Sequence, residues 1–104
     1  MHHKASHEIR QVMNQYIAKG KKSLYKKKQM TRLVSILDNI MSKQKDPRLS
    51  AIGRKQLIIY WKSTKHETDQ TRREKFSILN RFFSLYNPKV TVPEPHISKE
   101  IITE

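Results

Sequence analysis

Residues 81–88 read RFFSLYNP, and residues 92–95 read VPEP. The pair Phe82-Phe83, followed at helical spacing by Tyr86, predicts the buried side of an amphipathic helix that carries arginine and serine on its other side. Asn87-Pro88 predicts the end of this helix, because the residue before a proline avoids the helical conformation. The prolines at 93 and 95 predict an extended linker rather than a strand.

The helix extends upstream from this end to Asp69. A negative charge at that position suits the positive end of the helix dipole. The pattern predicts a helix over residues 69–86 whose inward residues are Phe76, Leu79, Phe82, Phe83 and Tyr86. The residues predicted to point outward or to flank this stripe are Gln70, Arg73, Ser77, Asn80, Arg81 and Ser84.

The same helical period recurs three times earlier in the chain. The first stripe predicts a helix over residues 6–19 with Ser6 as N-cap and Gly20 as stop, and its apolar residues are Ile9, Val12, Met13, Tyr16 and Ile17. The second predicts a helix over residues 24–43, buried through Met30, Leu33, Ile36, Leu37, Ile40 and Met41. After a loop at Asp46-Pro47, the third predicts a helix over residues 53–63, capped by Gly53 and buried through Ile52, Leu57, Tyr60 and Trp61.

These patterns predict an all-α fold, a small four-helix bundle with a disordered or extended C-terminal linker. We expect a disordered leader over residues 1–5, a helical domain over residues 6–87 and a linker over residues 88–104. Each helix alone is marginal in water, so the apolar stripes must pack together. Leu37→Ala or Leu79→Ala is therefore expected to cost about 2–5 kcal/mol.

The charge of the chain favours a polyanionic partner. It has 22 lysines and arginines against 9 acidic residues, a net charge of +13. Nucleic acid is the expected partner, ahead of an anionic membrane or an acidic protein. The cations are concentrated in the predicted helical part, since residues 4–32 hold nine of them and only one acidic residue, Glu8.

Composition and motifs argue against several other classes. The chain has no cysteine, which excludes disulfides and thiolate metal sites. No apolar run approaches the roughly 20 residues of a membrane span and no signal peptide opens the sequence, so we expect a cytoplasmic protein without a membrane partner. His3 and His7 are spaced i, i+4, but His3 precedes the predicted first helix and further metal ligands are missing. No catalytic triad or glycine-rich phosphate loop is present. We expect no cofactor, no metal, no small-molecule substrate and no catalytic residue.

Three segments resemble a known family. Residues 52–61, IGRKQLIIYW, are similar to the pattern Ile-Thr-x-x-x-Ile-x-x-Tyr-Leu, and residues 71–83, TRREKFSILNRFF, to Thr-x-x-x-x-Leu-Ser-x-Leu-x-x-Phe-Phe. With Asn87-Pro88 and VPEP, they resemble the N-terminal core-binding (SAM-like) domain of tyrosine recombinases, the phage-integrase family. The likeness spans about residues 6–95. Arg72 departs from it, because that position is commonly apolar in the family.

The resemblance implies a DNA-binding module of a site-specific recombinase. In this family the domain closes a clamp around DNA with a catalytic domain that supplies the tyrosine nucleophile. The present chain ends just past the linker, so we expect it to bind duplex DNA without cutting or joining it. Other recombinase protomers on the same DNA are a further expected partner.

The resemblance also implies that the second and fourth helices face the major groove. The expected contacts are Lys26, Lys27, Lys28, Thr31 and Arg32 on the second helix, and Arg73, Lys75, Ser77, Asn80 and Arg81 on the fourth. Arginine can pair with guanine and asparagine with adenine, but most of these residues should meet phosphates. Two other functions stay open, a stand-alone helical nucleic-acid-binding regulator and a basic protein-interaction domain.

Overall fold

The computed structural model describes residues 3–18, 24–46 and 48–95 and contains five α-helices there. These are α1 (His3–Val12), α2 (Asn14–Ala18), α3 (Leu24–Ser42), α4 (Arg54–Ser63) and α5 (Asp69–Tyr86), with a short 3₁₀ turn (Leu49–Ala51) before α4. No strand occurs among the described residues, so the predicted all-α class is confirmed.

The last three helices follow their predicted bounds closely. α5 begins and ends at the predicted residues, and α3 and α4 each differ from prediction by one residue at one end. Gly53 is the N-cap of α4, and its N–H donates to the Gln56 side chain at 2.9 Å. Thr68 is the N-cap of α5, and its hydroxyl accepts from the Thr71 N–H at 3.2 Å. Local capping signals therefore set these helix starts.

The predicted first helix is two helices. It starts at His3 rather than Ser6 and is interrupted at Met13. Ser6 lies inside α1, so the prediction that it caps the helix was wrong. The Met13 N–H still donates to the Ile9 carbonyl at 3.0 Å, and both side chains are fully buried, so the predicted apolar stripe continues across the interruption. The side chain of Ile17, and Gly20 as a whole, lie outside the described residues.

The core is a single cluster in which α3 and α5 are the main partners. All six residues predicted for the buried side of α3 are buried, and so are Leu79, Phe82 and Phe83 of α5. The Phe82 ring stacks on the Tyr86 ring, with 5.1 Å between their centroids. It meets the Phe83 ring edge-on, with 5.0 Å between centroids. Full burial of each large apolar side chain contributes roughly 1.5–3 kcal/mol.

The chain beyond α5 packs back on the domain. Residues 91–94 form neither helix nor strand, and Val92 and Pro93 are buried. The indole N–H of Trp61 in α4 donates to the Pro93 carbonyl at 2.8 Å. The first part of the predicted linker is therefore attached to α4, and residues 96–104 lie outside the described residues.

Candidate nucleic-acid interface

Helices α3 and α5 lie side by side and antiparallel. Arg32 of α3 pairs with Glu74 of α5, and Tyr25, two turns earlier on α3, lines a groove together with Arg81, two turns later on α5. The two helices predicted to contact DNA are thus neighbours. Their outward residues form one surface, the α3–α5 face, made of Lys28, Thr31, Arg32, Arg73, Ser77, Asn80 and Arg81.

Most of this face is open to solvent. All its members except Arg32 are exposed. Within the described parts of the chain, the side chains of Arg73 and Asn80 make no hydrogen bond or ion pair. Arg73, Ser77 and Asn80 recur at i, i+4 and i+7, which aligns them in one row along α5. This row is available to a ligand without breaking an existing contact.

Arg32 is the exception because it is held in place. Its guanidinium donates from Nη1 to Glu74 Oε1 at 2.5 Å and to Gln29 Oε1 at 2.8 Å. Gln29 is buried, and its amide donates to the Tyr25 hydroxyl at 3.4 Å. The hydrogen bond from Arg32 holds the pKa of Glu74 below its usual value, with smaller contributions that include the charge of Lys28. Glu74 is therefore a carboxylate at neutral pH.

Two predicted contacts gather around Tyr16. The Lys26 ammonium lies 5.3 Å from the centre of the Tyr16 ring and donates to the Tyr16 carbonyl at 3.0 Å. The Arg81 guanidinium lies 5.1 Å from the same ring. Such cation–π contacts contribute about 0.5–1 kcal/mol at exposed sites. Arg81 remains exposed, so its position is restrained while its hydrogen-bonding edge can still meet a ligand.

Lys75 lines a cleft together with Lys28, Thr31 and Arg32, but its ammonium is already engaged by other side chains. Successive helical residues are rotated by about 100°, which turns Lys75 away from Arg73 and toward α4. Its side chain is only 13% exposed, and its ammonium lies 2.8 and 2.9 Å from the two carboxylate oxygens of Glu67. It also donates to the Tyr60 hydroxyl at 2.9 Å. Lys75 thus ties α5 to α4.

Lys27 lies at the far edge of the face. It is rotated by about 140° from Arg32, but Thr31 is its i+4 neighbour on the same side of α3. It is exposed and has no ion-pair partner among the described residues. A ligand seated on the α3–α5 face reaches Lys28 and Thr31 more directly than Lys27.

Arg72 is a buried cation that the sequence analysis did not recognise. It is 4% exposed, and its Nη2 donates to the carbonyl of Trp61 at 2.8 Å. Its guanidinium lies 6.0 Å from the Trp61 ring, at the negative end of the α4 dipole. The spacing from Arg72 to Phe76, Leu79 and Phe83 is that of the inward stripe of α5, so helical periodicity alone could have identified this burial.

No protein-family model, curated protein or solved structure matches this chain. The likeness to tyrosine recombinases therefore stays a prediction from the residues. In the ranges that the structure describes, no helix is long and apolar enough to cross a bilayer. The same ranges bring no three histidine or acidic side chains together as metal ligands.

Proposed function

We propose that this domain binds duplex DNA through the α3–α5 face, as the DNA-binding module of a tyrosine-type site-specific recombinase acting in the cytoplasm. The observation that supports this most directly is the exposed set of cations on two adjacent antiparallel helices, in a chain of net charge +13. The surface has the chemistry of a phosphate-binding surface, and an α-helix fits the major groove. The proposal assigns DNA binding to this chain and no catalytic step.

The side chains of the face divide by chemistry. Lys28 and Arg73 would bind backbone phosphates as exposed cations, and Thr31 and Ser77 would donate hydroxyls to phosphate oxygens. Asn80 and Arg81 are the side chains suited to base edges, because an amide can pair with adenine and a guanidinium with guanine. The contact with Tyr16 restrains Arg81 before binding, which lowers the entropy lost when it meets a base.

The test is charge reversal on the face. The variant Arg73→Glu with Arg81→Glu should weaken duplex binding more than tenfold at about 0.1 M salt, because two phosphate or base contacts become repulsive. The log–log salt dependence should become shallower by at least about 0.9, because Arg73 is the proposed phosphate contact of the pair. Fluorescence anisotropy with a labelled duplex over a salt series measures both quantities. The free energy of unfolding should fall by no more than about 1 kcal/mol, because both residues are exposed and only the cation–π contact of Arg81 with Tyr16 is lost.

The matched control is Arg54→Glu with Lys55→Glu. It makes the same change in net charge at two exposed residues in the first turn of α4, outside the face. It should weaken binding only through the lower overall charge. Equal losses in both variants would refute the α3–α5 face, and equal competition by duplex DNA, RNA and heparin would point to an unspecific polyanion binder.

A further inference from the structure

Glu74 is an acidic residue within an otherwise basic surface. It lies on α5 between the exposed Arg73 and the α3 residues Lys28 and Arg32. Lys28, Thr31 and Arg32 line a cleft between α3, α4 and α5, whose other walls include Tyr60 of α4 and Lys75 of α5. Glu74 thus neutralises the guanidinium that stands at the junction of the two proposed DNA-binding helices.

A carboxylate and a phosphate bind arginine in the same way. Each presents a pair of anionic oxygens that can accept two hydrogen bonds from the guanidinium fork. A DNA phosphate that enters the cleft therefore competes with Glu74 for Arg32. We propose that Glu74 occupies the phosphate site of Arg32 in the free protein and that a backbone phosphate replaces it when DNA binds. This inference rests on the DNA-binding function proposed above.

The surroundings of Arg32 make this exchange feasible. The buried Gln29 accepts a second hydrogen bond from the Arg32 Nη1, so the side chain stays oriented when Glu74 leaves. Glu74 is one-third exposed, so its carboxylate can turn to water. A partly exposed ion pair of this kind contributes little to folding, and its loss on binding costs little.

Glu74 consequently weakens the affinity of the domain for DNA. In the free protein it cancels one positive charge, and in the complex its carboxylate stays close to the incoming phosphate. Glu74→Gln should add about one effective phosphate contact. We expect duplex binding about eightfold tighter at about 0.1 M salt and a log–log salt dependence steeper by about 0.9.

Asp46→Asn is the matched control for Glu74→Gln. It raises the net charge by the same amount, but Asp46 follows α3 and pairs with Arg48. Ten helical residues from Arg32 to Ser42 place it roughly 15 Å or more along the helix, beyond the Debye length of about 10 Å at 0.1 M salt. Its effect on affinity should stay under about twofold.

A double variant tests whether the gain depends on Arg32. In Arg32→Gln with Glu74→Gln, the affinity should return to within about twofold of the wild type, because the freed guanidinium is absent. A gain that persists without Arg32 would overturn the inference, as would a Glu74→Gln variant that binds no tighter than Asp46→Asn. Circular dichroism melts check that each variant is folded.

The wild-type protein provides an independent measurement. The carboxyl carbon resonance of Glu74 should shift on addition of duplex DNA, as the carboxylate loses its guanidinium partner. An unchanged resonance in a saturated complex would overturn the exchange even if the variants failed to fold. If the wild type binds no duplex at low salt, the proposed function fails together with the inference. If it binds and Glu74→Gln shows no gain, only the inference fails.

Discussion

The inner and outer sides of α5 use the same residue types for different purposes. Arg72 and Arg73 are adjacent in the chain, but Arg72 is buried against Trp61 whereas Arg73 is exposed. Lys75 likewise points inward to α4, and Arg81 lies on the outer side. The rotation of about 100° per residue therefore decides whether a cation supports folding or remains available to a ligand. Net charge alone overstates the charge that a partner meets.

The largest expected effect comes from an apolar residue on the inner side. Leu79→Ala should lower the free energy of unfolding by about 2–5 kcal/mol, because it removes a fully buried side chain and leaves a cavity. Asn80→Ala, one position further and exposed, should change it by less than about 0.5 kcal/mol. Urea unfolding followed by circular dichroism measures both. Similar losses of unfolding free energy in the two variants would contradict the distinction between the inner and outer sides of α5.

Substitutions of the adjacent Arg72 and Arg73 should differ less in their effect on the free energy of unfolding. Arg72→Ala should cost about 1–2 kcal/mol, because its buried stem leaves a void and its hydrogen bond to the Trp61 carbonyl is lost. Arg73→Ala should stay within about 0.5 kcal/mol of the wild type in the same urea assay.

A third substitution separates packing from charge at Arg72. Arg72→Met should recover most of the loss, because methionine fills the stem and removes a buried cation whose Nε has no hydrogen-bond partner in the described parts of the chain. The Trp61 carbonyl keeps the hydrogen bonds from the N–H and the hydroxyl of Thr64. A Met variant as unstable as the Ala variant would show that the charge itself stabilises the fold.

The smallest expected effect is a pH dependence at Lys75. Burial acts to lower the pKa of Lys75, but the hydrogen bonds to Glu67 and Tyr60 outweigh it and hold the pKa above its ordinary value. A raised pKa means that the stabilisation is complete below about 10.5 and is lost as the pH rises through the folded-state value.

The measurement compares urea unfolding at about pH 8 and about pH 11.5. Between these values the wild type should lose up to about 0.5 kcal/mol more than Lys75→Met, a small figure because the site is partly hydrated. Lys27→Met is the matched control, since Lys27 is exposed and makes no ion pair within the described residues, and it should follow the wild type. If the free energy of unfolding fell by the same amount in the wild type and in Lys75→Met, the proposed stabilisation would be contradicted.

Features that depend on local sequence signals were predicted correctly. The end of α5 follows from Asn87-Pro88, and the buried sides of α3 and α5 follow from the spacing of their apolar residues. The interruption at Met13 was not predicted, because no proline or glycine marks it in the sequence. The same helical spacing predicted that Arg73, Asn80 and Arg81 point outward.

The partners of the charged residues were not predictable. Arg32 and Glu74 are 42 positions apart, and only the antiparallel packing of α3 and α5 brings them together. The inward turn of Lys75 follows the helical period, but its contact with Glu67 depends on where the connection after α4 runs. A single sequence indicates which side of a helix is polar, and tertiary contacts then decide which of those polar groups are already engaged.

The hydrogen bond between Trp61 and Pro93 provides an intrinsic fluorescence probe of the segment after α5. Trp61 is the only tryptophan in the chain, so intrinsic fluorescence records one indole environment. Detachment of residues 91–95 would open that indole to water and shift its emission to the red while the helices stay intact. Emission and ellipticity, followed together, would then separate release of the exit segment from melting of the bundle.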